Sequence, residues 1–310
     1  MARVRVERSS VNVADLWTRR AGIINSYPHI PGSDACGVLT EINGNSSIDI
    51  GSRVVINPAL QPPAGQRSWT DAYRDIVEIL GYNRAGTCAE YCDVPIENVF
   101  PAPSHLTLEE AAAIPLTFLT AWRMLVRRGA IQRGEYALIW GASGGLGTAG
   151  VVLANYLGAK VLATAGSDHD ARLIEKLNPV GVIRYDHGDI ASQVVKLIGR
   201  KVDLVFDSVA GSTWDQTLKS LRPGGRVVMA GTSAGDTATF DLSDVFYNQW
   251  ALLGCRMGDE KDFEGMLESV TTGRLRPVVA KVYPLSRMEE AHKALEEGNI
   301  IGKIVVNNQE

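Results

Sequence analysis

Cysteine is scarce in this sequence: Cys36, Cys88, Cys92 and Cys255 are the only four in 310 residues. So few thiols in so long a chain make no disulfide framework, and reduced cysteines in a cytoplasmic setting are expected. Long apolar runs are missing too; the longest are strand-sized, far short of a membrane span. The stretch from Met1 to Arg8 alternates arginine with valine and lacks the apolar centre of a secretory signal. Nor does one charge dominate. The formal net charge is −4 with both signs mixed, which argues against a nucleic-acid or membrane-surface partner, since both require a concentrated basic face. Arg127, Arg128 and Arg133 form the one positive cluster, read as a solvated rim near a helix end. No internal repeat or low-complexity tract is present. What remains is 45% hydrophobic and 21% charged: an ordinary folded chain, long enough for two domains.

The first third reads as β-rich. Val4–Val6, Val38–Ile42, Arg53–Ile56 and Glu90–Val94 are short β-branched or alternating runs between Gly, Pro and Asn turns. Within Thr-Cys-Ala-Glu-Tyr-Cys, strand parity puts Cys88 and Cys92 on one face, favouring core packing over metal ligation. Pro58–Asn83 breaks the rhythm and reads as an elaborate lobe with a short helix. From about residue 115, strands and helices alternate. Tyr136–Trp140, Lys160–Ala165, Val202–Asp207, Arg226–Gly231 and Ala251–Cys255 are the strands. Helices are expected through Leu157, from Asp168, and around 190–199 and 213–221. This is the pattern of βαβ units and a parallel sheet covered on both faces. Two further helices (262–272 and 286–297) and a last strand, Lys303–Val306, close the chain.

The strongest chemical signal is Trp140-Gly141-Ala142-Ser143-Gly144-Gly145-Leu146-Gly147, between an apolar strand and an Ala/Val/Leu-rich helix. Gly144 lets the backbone approach a pyrophosphate closely, and Gly147 lets the helix pack on the strand. The bare amides of the helix start then face the diphosphate charge. Ala142 stands where the first glycine of such fingerprints usually sits. Residues 142–147 are therefore the expected dinucleotide cradle. The next strand runs out in Thr164-Ala165-Gly166-Ser167 without the acid that commonly holds a ribose 2′-hydroxyl. With Ser167 as a donor and Arg172 as the nearest cation, this favours NADPH over NADH. Arg172 also reads as a plain solvated helix charge.

Leu116-Thr117-Phe118-Leu119-Thr120-Ala121-Trp122 ahead of that turn, Ile30-Pro31-Gly32-Ser33-Asp34-Ala35-Cys36-Gly37 upstream and Gly302-Lys303-Ile304-Val305 at the end together resemble the medium-chain dehydrogenase/reductase superfamily. The branch they resemble is that of the quinone oxidoreductases and zinc-type alcohol dehydrogenase homologues. The resemblance spans nearly the whole chain. It implies a β-rich GroES-like catalytic domain (1–114 and 259–310, shortened at its start) and a doubly wound Rossmann domain (115–258), an α/β fold.

Zinc-dependent members hold a catalytic metal at places that here carry Asn12, Ser33 with Asp34, and Leu116. Amide, hydroxyl and leucine do not replace thiolate and imidazole, so no catalytic zinc is expected. The four closely spaced cysteines of the family's structural zinc lobe are also missing from Pro58–Gly81. Apolar packing of Trp69, Tyr73, Ile76, Val77 and Ile79 is expected to hold that lobe instead.

The resemblance implies roles for several residues. Asn12 and Thr120 are candidates for contact with nicotinamide or substrate, although Asn12 also reads as a turn cap and Thr120 as a hydroxyl at a helix start. Asp34 is a catalytic candidate that reads more readily as a hydrogen-bonding residue, and Asp15 as an anchor. Tyr185 aligns with an adenosine-end contact. Val209, Gly231, Thr232, Cys255 and Met257 follow strand ends where ligands bind in open sheets, and Lys303 resembles a cofactor-facing lysine. Trp17, Trp69, Tyr73, Trp122, Tyr247 and Trp250 are candidates to wall an aromatic pocket. Without a Lewis acid, reduction of a quinone, enone or other α,β-unsaturated carbonyl is favoured over alcohol oxidation. A pathway-specific redox or cyclising enzyme and an NADPH-binding protein without turnover are the other readings. A homodimer paired through the strand near Asn248–Gly258 is expected.

Overall fold

Alternation at the start of the chain builds the strand Ala2–Val11, with Ala2, Val4 and Val6 buried and Arg3 and Arg5 partly exposed. The strand outruns the alternating segment because Ser9, Ser10 and Val11, all buried, pair with the chain's last strand, Lys303–Asn307. The register Ser10↔Val305 and Val11↔Ile304 brings the two ends of the sequence side by side.

The computed structural model describes residues 1–20, 27–60, 78–298 and 300–310. It divides into one unit of Met1–Leu119 with Gly258–Glu310 and another of Thr120–Met257.

In the first unit the strand order is 279–284, 303–307, 2–11, 34–42, 53–56 and 99–101, with 91–94 also pairing to 2–11. All neighbours are antiparallel except Val279–Pro284 with Lys303–Asn307. Val4, Val6, Leu39, Val54, Ile56 and Val94 form a core here. Cys92 lies on the strand Tyr91–Val94 and joins that core, whereas Cys88 precedes the strand in a bend. Strand parity therefore does not govern Cys88, and the expected pairing of the two thiols on one strand face is corrected. Of the lobe, the short strands Ala59–Leu60 and Glu78–Ile79 pair with each other. Trp69, Tyr73, Ile76 and Val77 lie outside the described residues.

In the second unit six parallel strands lie in the order 181–184, 160–165, 136–139, 202–207, 221–229 and 251–254. The chain winds one way from 136–139 and then the other, so Tyr136–Ile139 and Val202–Asp207 flank the reversal where ligands bind in such sheets. Val202–Asp207 is buried at every position, as a central strand covered on both faces requires. The strand expected at Arg226–Gly231 runs instead over Leu221–Met229. No helix among the described residues is long and apolar enough to cross a membrane.

Candidate active site

The glycine turn sits at the carboxyl end of Tyr136–Ile139, at the reversal. Gly141 has a φ of 65°, a left-handed conformation that glycine adopts freely. A methyl group on Gly147 would run into the Gly141 carbonyl oxygen, so the helix Gly145–Tyr156 leaves the turn only because position 147 lacks a side chain. Gly150 likewise lies against the Phe206 ring, with a Cβ there only 3.1 Å from it. Gly144 differs: a Cβ would meet nothing nearer than Gly141 O at 3.4 Å, leaving open space before the helix. This helix has Gly144 as N-cap, no side-chain cap and no acid in its first turn. The helices after Ser167, Asp189 and Asp259 are all capped by side chains. An uncapped, unneutralised N-terminus beside a side-chain-free approach fits a pyrophosphate.

The adjoining strand ends converge on the same edge of the sheet. Ser208 Oγ donates to Trp140 O at 3.3 Å, and Gly231, with φ 122°, lies against Ser208 O. Buried Asp207 shapes the loop by accepting from the amides of Val209 and Ala210 at 2.8 and 2.9 Å and from Thr217 Oγ1 at 2.8 Å. Thr232 Oγ1 donates to Asp236 at 2.5 Å, and Cys255 follows the edge strand, its thiol 3.8 Å from Met257 O. The segment 142–147, Ser167, Tyr185, Val209, Gly231, Thr232 and Cys255 thus all follow carboxyl ends of one parallel sheet. Tyr185 is half exposed, its hydroxyl covers Gly166, and its ring stacks on Trp140 at 6.4 Å. Thr120 is buried in the second half of the helix Pro115–Trp122, so the alternative of a hydroxyl at a helix start is corrected. Of the six aromatics expected to wall a pocket, Trp69 and Tyr73 lie outside the described residues, and Tyr247 and Trp250 have different surroundings. Trp250 donates to Arg222 O and packs on the Rossmann core, Tyr247 lies exposed against Phe246, and Trp17 belongs to the other unit's first helix.

A second cluster is built in the first unit by the pairing of the chain ends. Lys303 Nζ donates to Val11 O at 2.9 Å, Asn12 Oδ1 at 2.5 Å and Asp34 Oδ2 at 2.9 Å. Asp34 Oδ2 also accepts from Ser10 Oγ at 2.6 Å and Asn12 Nδ2 at 2.8 Å, while Oδ1 accepts from the Leu116 amide at 2.6 Å. The Lys303 and Asp34 side chains are 4% and 0% exposed, so the pair is closed to water. Asn12 is oriented without ambiguity: lysine can only donate and the carboxylate only accept, leaving one Nδ2 proton uncommitted among the described residues. Asp15 holds the turn by accepting from the amides of Asn12 and Gly32 at 2.7 and 3.1 Å. Burial pushes its carboxyl up to about 6, against the pull of those amides and of Lys303.

Zinc does not fit these donors. Asn12, Asp34 and the Leu116 amide already satisfy one another and an ammonium, which repels a second cation. Among the described residues no group of three or more His, Cys, Asp and Glu side chains is placed to hold a metal. Ser10, the Leu116 amide and Asp207 were not legible as site residues. Ser10 reads as strand filler, a backbone amide carries no side-chain signal, and Asp207 reads only as a strand's last residue.

Known families match segments of both units. The alcohol dehydrogenase GroES-like domain matches residues 1–104 and the zinc-binding dehydrogenase domain matches 145–272. The chain belongs to the medium-chain dehydrogenase/reductase superfamily, in its quinone oxidoreductase-like branch, and is an NAD(P)H-dependent oxidoreductase. It is 28% identical to an acryloyl-coenzyme A reductase of Sulfurisphaera tokodaii over 98% of this chain and 91% of that one. It is 25% identical to a quinone oxidoreductase of Pongo abelii over 98% and 88%. Among solved structures, an NAD-dependent alcohol dehydrogenase superposes with a TM-score of 0.92 at 35% identity, covering 99% of this chain and 91% of that one. A 2-octenoyl-CoA carboxylase reductase, CinF, in complex with NADP and 2-octenoyl-CoA, does so at 0.89 and 26%, covering 99% and 78%.

Proposed function

We propose that this chain is a zinc-independent reductase of a quinone, enone or other α,β-unsaturated carbonyl. The observation that carries the reading is the closed Lys303–Asp34–Asn12 cluster, at positions where the resemblance to zinc-type members implies their metal ligands. A bound reduced nicotinamide nucleotide supplies a hydride, and NADPH is the form the sequence favours. That hydride would go to the electrophilic carbon and the π pair to the carbonyl oxygen, and a solvent proton would complete the product. An acceptor of this kind needs no Lewis acid to acidify a hydroxyl, only a donor for the oxygen that gains charge. Asn12 Nδ2 has the uncommitted proton for that role, its amide held by Lys303 and Asp34. Thr120 is the corresponding candidate beside the nicotinamide. Both the acryloyl-CoA reductase and the quinone oxidoreductase named above reduce acceptors of this type, in keeping with the proposal.

Purified protein with NADH or NADPH should reduce a simple quinone or enone and contain no stoichiometric zinc. Nucleotide binding without turnover of any acceptor would instead mark a binding protein, and turnover of one complex metabolite alone a pathway-specific enzyme. One tightly held zinc per chain would overturn the metal-free reading.

A homodimer belongs to the same proposal. Ala251–Gly254 is an edge strand, paired only with Leu221–Met229 among the described residues. Before it the helix Leu242–Tyr247 buries none of its residues, and Leu242, Phe246 and Tyr247 are 74%, 62% and 78% exposed. An open strand edge next to an apolar patch fits a second copy related by a two-fold axis.

A further inference from the structure

The choice between NADH and NADPH turns on the ribose 2′ position, and there the structure supplies what the strand's own sequence lacks. Lys160–Ala165 ends without an acid, but its neighbour Gly181–Arg184 ends in register with it, Arg184 opposite Ala165. The Arg184 guanidinium is gripped by Asp186 through two bonds, 2.9 Å from Nε and 2.7 Å from Nη2. Its Nη1 binds Asp168, the first residue of the next helix. The arginine side chain is 14% exposed, while those of Asp168 and Asp186 are 79% and 45% exposed. A cation hidden behind two outward carboxylates presents negative charge. Asp170 adds a third acid in the first turn of the same helix. His169 and His187 each lie within 4.0 Å of one of these acids, and Tyr185, between Arg184 and Asp186, covers Gly166 with its hydroxyl.

The two residues that favoured NADPH are placed differently from what that reading needs. Arg172 is exposed in the last turn of the helix Asp168–Glu175, about 6 Å along the axis from Asp168. Ser167 Oγ accepts from the Asp170 amide at 3.0 Å and caps the helix. A 2′-phosphate brings close to two negative charges to a site whose arginine is already neutralised, with three acids around it. A 2′,3′-diol brings only donors, and Asp168 has a carboxylate oxygen to accept them.

We infer that this chain selects NADH over NADPH, with Asp168 as the diol acceptor and Arg184 sequestered by Asp168 and Asp186. The inference rests on the nucleotide-dependent reading above and displaces its NADPH preference.

Fluorescence titration of the full chain with each reduced nucleotide, at one ionic strength, tests it without turnover. NADH should bind about ten-fold or more tighter, the scale of one charge-assisted hydrogen bond plus a repulsion. AMP should raise the melting temperature more than 2′,5′-ADP does. Asp168→Ser with Asp186→Asn uncovers Arg184 and should narrow or invert the ratio by about ten-fold or more. Adding Arg184→Ala should remove the NADPH gain. The inference is overturned if the wild-type chain binds NADPH as tightly as NADH, or if the double variant leaves the ratio unchanged; the reductase reading survives either result. If neither nucleotide binds saturably, both fall together.

Discussion

Lys303 Nζ lies 2.9 Å from Asp34 Oδ2 although 269 residues separate them in the chain. The contact exists because Ser10 and Val11 pair with Val305 and Ile304, setting the last strand beside the first. Its consequence is chemical: a buried carboxylate is matched by an ammonium that is itself closed to water. Three donors besides the lysine converge on the same carboxylate, so the charge is not left to a single partner.

Removing one member of so closed a pair strands the other. Lys303→Met should therefore destabilise the chain by about 3–5 kcal/mol, as loss of one partner of a buried ion pair does. Urea denaturation followed by circular dichroism reads this directly. Replacing both members, with Asp34→Leu as well, should cost less than the sum of the single changes. A loss below about 1 kcal/mol for Lys303→Met would show the pair to be solvated rather than closed.

The glycine turn separates binding from folding. Gly144→Val puts a side chain into the open approach before the helix, where it meets only Gly141 O at ordinary distance. Nucleotide affinity should fall by about 100-fold, near 2–3 kcal/mol, with the urea midpoint unchanged. Gly147→Ala should do the reverse of sparing the fold, because its methyl meets the Gly141 carbonyl. Unchanged nucleotide affinity in Gly144→Val would place the pyrophosphate elsewhere.

The proposed dimer is tested at the edge strand. Wild-type protein should sediment at about twice 33.5 kDa. Phe246→Asp with Leu252→Asp, both exposed positions, should give monomers with the same circular dichroism. A wild-type monomer at micromolar concentration would dismiss the pairing.

Local chemistry was legible in the sequence, and long-range pairing was not. Lys160–Ala165 and Val202–Asp207 stand as read, because unbroken apolar runs between turn residues specify central strands. Gly144 and Gly147 announced a close approach and a packing contact from their spacing alone. Asn12 and Asp34 were found only through family resemblance, and their mutual bond depends on the antiparallel pairing that sets Ser10 opposite Asp34. Nothing in Gly-Lys-Ile-Val says that Lys303 ends beneath Val11, since register between chain ends is a tertiary outcome. Arg184 was missed for the same reason: its partner Asp168 comes from the neighbouring βα turn, and only the parallel pairing opposite Ala165 brings them together.

Asp15 gives the chain a pH signature with a definite sign. Burial raises its carboxyl from 3.8 in the unfolded chain to about 6 in the fold. Between those values the folded state holds the proton and the unfolded state does not, so this group's contribution to stability declines as pH rises. Below the lower value both states are protonated and above the upper one neither is, so the slope is confined to that window. Its size is on the order of 2–3 kcal/mol. Asp15→Asn removes the titration while losing one of the two acceptors for the Asn12 and Gly32 amides, a cost that does not vary with pH. The stability of the wild type minus that of Asp15→Asn should therefore fall from pH 4 to pH 6 and then level off, by chemical denaturation at each pH. A difference that rises with pH would mean that the amides and Lys303 outweigh burial, and that Asp15 is held ionised in the fold.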